Sequence, residues 1–338
     1  MAKYVDFIPE NVALPSARRI GIYDSNGNRV GFIPLGSLTP PNRSKMLYKV
    51  GVLSDIHLPM QTGEEDFQRA MKYLVDVEQV DFVTICGDLT YNGTNSELAN
   101  YKAKVNAYRG STPVYAVTGN HENYPNGVAE GDIEGRIEAY TGHPLYYSFT
   151  QGNDVYIMVG CRSNSANDLF TTAELQWLYN TLEVNRNKRC FVFEHVFPWD
   201  GSGDVLDAYS TDLLSGTVGK VFLSLMRHYK NVIWFHGHSH VKFDGQIYGD
   251  MANIDRLYGM YSLHIPSLAY PAEGDADRGY LYAESEGYVV DVYENGIHLR
   301  GRDFVKGEFL PIASYWLDTT LQTIPAGTYT DSTGTIIT

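Results

Sequence analysis

Basic residues, cysteines and long apolar runs are all scarce in this chain, and each shortage removes a class of function. Lys and Arg together number 26 against 40 Asp and Glu, a formal net charge of -14 over 338 residues. A protein that holds nucleic acid chiefly through its phosphates needs a basic face, so this balance argues against such a partner. Only three cysteines occur, Cys86, Cys161 and Cys190. They are too few and too scattered for a disulfide framework or a zinc-thiolate site, and their apolar neighbours mark them as small buried thiols. No apolar stretch approaches the roughly 20 residues that span a bilayer, so no membrane role is expected. MAKYVDFIPE carries no apolar leader, and the default expectation is the cytoplasm.

What is present begins with an N-terminal segment set apart from the rest. IGIYDSNGNRVGFIP reads as a β-hairpin turning at Asn26-Gly27, a dipeptide that accepts positive φ. LTPPNRS follows as a linker, since paired prolines cannot continue a ladder. The expected organisation is an N-terminal hairpin and linker over 1–45, a main domain over 46–310 and an extended tail over 311–338. The tail is rich in Thr, Gly and Pro.

From residue 46 strands and helices alternate. YKVGVLSD, VDFVTICGD and PVYAVTGN read as strands, separated by helices over 64–79 and SELANYKAKVNAY. In the first helix Phe67, Ala70, Met71, Leu74 and Val75 fall on one side. YYSFTQGNDVYIMVG reads as a hairpin, and RCFVFEH and VIWFHGH as strands that follow the helices TAELQWLYNTLEV and GKVFLSLMRHY. This β-α-β rhythm predicts an α/β (α+β) fold with parallel strands covered by helices. Five strands end in polar clusters: SDIH, CGD, TGNHE, FEH and HGHSH. Open α/β sheets gather their sites at the carboxyl ends of strands, so the five clusters can meet at one edge.

The cluster residues are metal ligands by type. Asp55 and His57, two positions apart, can address one ion, and His238 and His240 repeat the spacing. Imidazole with carboxylate suits Zn, Fe, Mn, Co or Ni. Asp88 can bridge two ions through its two oxygens. Asn120, His121 and His195 complete the clusters. A lone histidine on a strand is more often a satisfied core or surface group. Five strands ending in such groups have no packing rationale, because burying them unpartnered is costly.

SDIH, CGDLTYNG, GNHE, VFEH and GHSH, in this order, resemble the successive motifs of the calcineurin-like metallophosphoesterases, on the phosphodiesterase and purple-acid-phosphatase-like side, over about residues 46 to 305. The resemblance implies a four-layer α/β/β/α sandwich of two mixed sheets. It implies two divalent metals (Mn, Fe, Zn or Co), the first held by Asp55, His57 and His240, the second by Asn120, His195 and His238, with Asp88 bridging. It further implies a metal-activated bridging hydroxide attacking phosphorus in line, with His121 contacting the phosphate alongside Asn120 and protonating the leaving group.

Departures from the family pattern refine this expectation. The protein phosphatases of the superfamily carry Asp and Arg where this chain has Tyr91 and Asn92, and losing the arginine favours a diester over a phosphate dianion. GDLTY is also similar to the GDxxY of purple acid phosphatases, whose tyrosine ligates ferric iron. Those proteins lack the histidine matched by His57, so Tyr91 is expected to line the cleft. Glu122 is a candidate brace for His121. Arg162, Tyr124 and Trp199 are candidates for substrate contact, with ion pairing or core packing as the plainer alternatives. His236 is expected on the opposite strand face, and His143, His228, His264 and His298 lack ligand company.

The function expected is a metal-dependent phosphodiesterase, with a nuclease of the same fold as the alternative. A further alternative is an assembly-associated protein, such as a phage-particle component, docking or forming a homo-oligomer through its terminal segments.

Overall fold

Period-two alternation builds the interior of the molecule. In the computed structural model Val155, Ile157 and Val159 pack against helices while Tyr156 and Met158, between them, face the opposite sheet. The structure describes residues 45–60, 62–123, 132–163, 168–196, 217–243, 261–272 and 283–319, with short strands at 4–5, 19–23, 29–34, 254–255, 329–330 and 336–337.

β1 (Tyr4–Val5), β2 (Arg19–Tyr23) and β3 (Arg29–Pro34) form an antiparallel sheet. β2 and β3 are the two runs of the predicted hairpin, with Ile20 opposite Ile33, while the Asn26-Gly27 turn lies outside the described residues. The first large sheet comprises β4 (Met46–Leu53), β5 (Phe82–Cys86), β6 (Val114–Val117), β13 (Glu286–Tyr293), β14 (Gly296–Asp303) and β15 (Glu308–Asp318), in the order β15-β14-β13-β4-β5-β6. β4, β5 and β6 are parallel, and β13 adds antiparallel to β4. The second comprises β7 (Tyr146–Gln151), β8 (Asp154–Val159), β9 (Cys190–Phe193), β10 (Val232–His236), β11 (Ile254–Asp255) and β12 (Tyr261–His264), in the order β11-β12-β10-β9-β8-β7. β8, β9, β10 and β12 run parallel. β16 (Tyr329–Thr330) pairs antiparallel with β17 (Ile336–Ile337).

Helices α1 (Gly63–Lys72), extended by a π-helical turn over Tyr73–Val77, and α2 (Asn95–Tyr108) cover the outer face of the first sheet. α3 (Ile133–Thr141) sits beside α2. α4 (Thr172–Val184) and α5 (Thr217–His228) cover the second sheet. Capping boxes start α2 at Thr94 with Glu97 and α4 at Thr171 with Glu174, each satisfying backbone N–H groups that the helix cannot. The sheets face each other across a core containing Val50, Val52, Phe191, Phe193, Phe235, Tyr288 and Val290, which completes the four layers. Val75, grouped with the buried side of α1 on sequence, is only partly buried, because the helix is already in its π-helical turn there.

β15 carries residues 311–318, assigned to the tail on sequence, into the first sheet. Ala313, Tyr315 and Leu317 alternate into the core between the sheets, which ties this segment to the domain. Among the described residues no helix is long and apolar enough to cross a membrane.

Candidate metal centre

Five parallel strands deliver their carboxyl ends to one edge. β4 leads into Asp55 and His57, β5 into Asp88, β6 into Asn120 and His121, β9 into His195, and β10 into His238 and His240. The turns that follow are conformationally costly. Asp55, His57, Asp88, His238 and His240 all have positive φ, at 52°, 41°, 49°, 70° and 59°. Non-glycine residues seldom adopt this region, and such strain persists at sites where the surroundings enforce it. Hydrogen bonds between the loops do the enforcing: Asp55 N donates to Gly87 O at 3.1 Å, His57 N to Asp88 O at 3.0 Å, and Gly237 N to His195 O at 2.9 Å. Glycine is required where the loops touch. A Cβ on Gly119 would lie 2.6 Å from Asp88 N and 2.7 Å from His195 Cδ2, and nearer still to Asp88 Oδ1.

The side chains form two groups whose ligand atoms lie within 4.8 Å of one another: Asp55, His57, Asp88 and His240, and Asp88, His195 and His238. Asp88 belongs to both. His57 Nε2 lies 3.1 Å from His240 Nε2 and 3.6 Å from Asp88 Oδ2; His240 Nε2 is 3.0 Å from Asp55 Oδ1; His195 Nε2 is 3.2 Å from Asp88 Oδ2. Each carboxylate uses one oxygen to hold a loop and turns the other to the centre. Asp55 Oδ2 accepts from His238 N at 3.2 Å, and Asp88 Oδ1 accepts from His121 N at 3.0 Å. The oxygen of Asp88 that faces both groups is therefore Oδ2. The sequence-based expectation is a bridge through both oxygens, and Oδ1 here also accepts from the backbone of the neighbouring loop.

Chemically the donor set fits divalent cations. Asp88 Oδ2, Asn120 Oδ1 and His195 Nε2 are buried without a hydrogen-bond partner, an arrangement worth about 1–3 kcal/mol of penalty per group unless a ligand satisfies it. His195 Nδ1 contacts Cys86 O at 2.7 Å, which orients the ring with Nε2 turned to the centre. Burial favours the neutral forms of Asp55 and Asp88, yet the surrounding histidines, His240 and His195 beside Asp55 and His195 and His121 beside Asp88, outweigh it and hold both carboxyls well below the usual range. Burial pushes His57 down to about 4 and His238 to about 3. Burial also acts to lower His195, but Asp88 and Asp55 prevail and raise it to about 10. The centre thus combines ionised carboxylates with neutral imidazoles at His57 and His238, the protonation states that bind metal.

His121 stands at the rim with its ring edge-on to His57, centroids 4.6 Å apart. Its Nδ1 is held by Tyr91 O at 2.6 Å. The brace is thus a backbone carbonyl, that of Tyr91. Glu122 does not supply it: this buried carboxylate accepts from Gly119 N, Thr90 N and Thr90 Oγ1, and so fixes the loop. Burial and the charge of Asp88 raise Glu122 to about 7. Tyr91 is exposed, with its ring 5.6 Å from that of His121. Arg162 forms ion pairs with Glu134 and with Glu174, the latter at 2.9 Å, so its charge is already matched by carboxylates. Tyr124 and Trp199 lie outside the described residues. His236 is buried and bonded to Ser262 Oγ at 3.0 Å. Sequence reasoning missed Tyr270, whose ring packs on His57 and His240 at 4.8 and 4.5 Å. No motif marks it.

Comparison with known proteins gives the family. The model of the family "Calcineurin-like phosphoesterase" matches residues 48–242, more than half of the chain. A sequence search of curated proteins finds no match. Among solved structures, GAP50, the anchor in the inner membrane complex of Plasmodium, is 14% identical with a TM-score of 0.51, over 82% of this chain and 90% of that one. Vps29 complexed with Zn from Entamoeba histolytica is 11% identical (TM-score 0.37), over 80% and 99% of the two chains. The NAD nucleotidase NadN of Haemophilus influenzae is 12% identical (TM-score 0.44), over 87% and 54%. At 14% identity the likeness to GAP50 is one of fold.

Proposed function

This chain belongs to the calcineurin-like phosphoesterase family, and from that premise we propose that it is a dinuclear-metal phosphodiesterase. The observation that carries the reading is the pair of ligand groups meeting at Asp88. Asp55, His57 and His240 would hold one cation, and Asn120, His195 and His238 the other, with Asp88 Oδ2 between them. Divalent cations in these positions, drawn from Mn, Fe, Zn and Co, supply Lewis acidity and bring the pKa of a coordinated water towards about 7.

The remaining work falls to the chain's own residues. Water oxygen bonds to phosphorus as the opposite ester bond breaks, and the departing oxygen needs a proton. His121 is placed to give it. With Nδ1 tied to Tyr91 O, its Nε2 points inward, 3.9 Å from Asp88 Oδ2. Asn120, its neighbour in the chain, would contact a phosphate oxygen. A diester suits the local charge. Asn92, where protein phosphatases have arginine, directs its amide to Glu97 Oε1 at 2.9 Å, and Arg162 is paired with carboxylates. Neither offers a guanidinium to a second phosphate charge.

The test is hydrolysis by the full chain with added Mn2+, alongside elemental analysis. Bis(p-nitrophenyl) phosphate should be cleaved faster than p-nitrophenyl phosphate, and single- and double-stranded DNA should resist. A faster monoester rate overturns the diester assignment, DNA cleavage replaces it with a nuclease, and a chain inert to every ester removes the enzymatic reading.

A further inference from the structure

We infer that Tyr270 is a positioning residue for the metal group formed by Asp55, His57, Asp88 and His240, delivered by a strap from outside the family-matched region. The inference rests on the metal-centre reading and extends it to residues that the reading does not include. The family match ends at residue 242, whereas the strap runs from Ser267 to Ala272.

The strap ties together two loops that are far apart in sequence. Leu268 N donates to Ser54 O at 3.0 Å, Ala269 N to Asp55 O at 3.2 Å, and Ser267 Oγ to Asp55 O at 3.1 Å. At its other end Ala272 N donates to His240 O at 2.7 Å, and Lys242 N to Ala272 O at 3.0 Å. Within the strap Tyr270 N donates to Ser267 Oγ at 3.2 Å. One short segment therefore clamps the backbone of Asp55 and of His240, both of which stand at positive φ. Tyr270, 5% exposed, packs against both imidazoles, its ring at 35° to His57 and 60° to His240.

This placement has a physical consequence. An imidazole free to rotate about χ1 sweeps its Nε2 through several ångströms, rotation about χ2 turns its lone pair aside, and a ligand must be ordered before it binds. The ring of Tyr270 closes off that rotation for both histidines at once, while their Nε2 atoms are held 3.1 Å apart and turned to the centre. His195 and His238 belong to the other ligand group, and the His195 ring is oriented by Cys86 O. Loss of the tyrosine ring should therefore weaken one metal position and spare the other.

The experiment is calorimetric titration of the metal-stripped full chain with Mn2+, with circular dichroism to confirm folding. The wild type should bind two Mn2+. Tyr270→Leu should weaken one class by about 10- to 100-fold and leave the other unchanged, the size typical of residues that orient ligands. Tyr270→Phe, which keeps the ring, should bind as the wild type does. Should Tyr270→Leu fail to fold, Ser267→Ala carries the test with the same expected loss. A folded Tyr270→Leu that binds both ions with wild-type affinity, or loses both classes equally, overturns the positioning role while leaving the metal centre intact. A wild-type chain that takes up no Mn2+ overturns the metal-centre reading and this inference with it.

Discussion

Replacing Gly119 by alanine adds a single methyl group where two metal-ligand loops touch, and its effect can be worked from the contacts. Gly119 has no left-handed φ, so alanine is acceptable to its own backbone. The new Cβ would stand 2.6 Å from Asp88 N and 2.7 Å from His195 Cδ2, and closer again to Asp88 Oδ1, whereas real Cβ contacts essentially never fall under 3.0 Å. The three nearest atoms belong to Asp88 and His195, so relief must move the shared carboxylate, the His195 ring or both by about 1 Å. A displacement of that size at reacting groups costs about 100-fold in rate, or about 2.7 kcal/mol in the barrier. The bond from His121 N to Asp88 Oδ1 would be strained as well. The assay is kcat/KM for bis(p-nitrophenyl) phosphate at saturating Mn2+. Gly142→Ala is the control: its φ of 80° strains an added side chain, but nothing lies within 4 Å of the new atom. That variant should lose about 1–2 kcal/mol of stability and keep its activity. Gly119→Ala activity within about threefold of wild type, in a folded protein, would refute the claim that the Asp88 carboxylate and the His195 ring have no room to move.

Three further outcomes follow from named contacts. His121→Asn should keep Mn2+ uptake while kcat falls about 10²- to 10⁴-fold for a diester with an alkyl leaving group, and much less for one releasing p-nitrophenolate, which leaves without a proton; equal losses would remove His121 from acid catalysis. Arg189, buried, donates to Asp154 at 2.9 and 2.5 Å and to Tyr293 O at 2.8 Å, linking the two sheets. Arg189→Met should cost about 3–5 kcal/mol in urea unfolding, and adding Asp154→Leu should recover much of it, because the penalty is a stranded buried carboxylate; a double variant as unstable as the sum would contradict this. Glu78 is held down to about 2 from 4.5: burial opposes the shift, but hydrogen bonds from Arg300 and Tyr73 prevail. Its folded pKa is the lower one, so its stabilising contribution is present above about pH 4.5 and disappears as pH falls towards 2. After discounting for solvent screening it is about 1–2 kcal/mol, and Glu78→Gln should remove it at pH 7 with little change at pH 2.5, as measured by urea unfolding at both values.

Sequence and structure contributed different parts of this centre. The identity of the ligands was legible because each is local: a β-rich run followed at once by Asp, His or Asn is readable in a few residues, and five such runs leave little else for them to do. The hairpin in YYSFTQGNDVYIMVG was legible for the same reason. The helix after β4 was also legible, but not its change to a π-helical turn at Tyr73, which no periodicity marks. Nor did composition show that β15 would extend through Asp318. Glu122 illustrates the limit. Its adjacency to His121 suggested a brace, but the 3-10 turn over His121–Asn123 sends the two side chains to different partners.

By itself the amino-acid sequence determined which donor atoms the centre has, since residue type and strand ending are properties of short segments. Only the tertiary structure decided that Asp88 turns Oδ2 to both groups, that a carbonyl of Tyr91 holds His121, and that a strap from Ser267 to Ala272 presses Tyr270 against His57 and His240. Those facts depend on contacts between segments tens to hundreds of residues apart, and they exist only once the two sheets have packed and brought the loops into hydrogen-bonding distance.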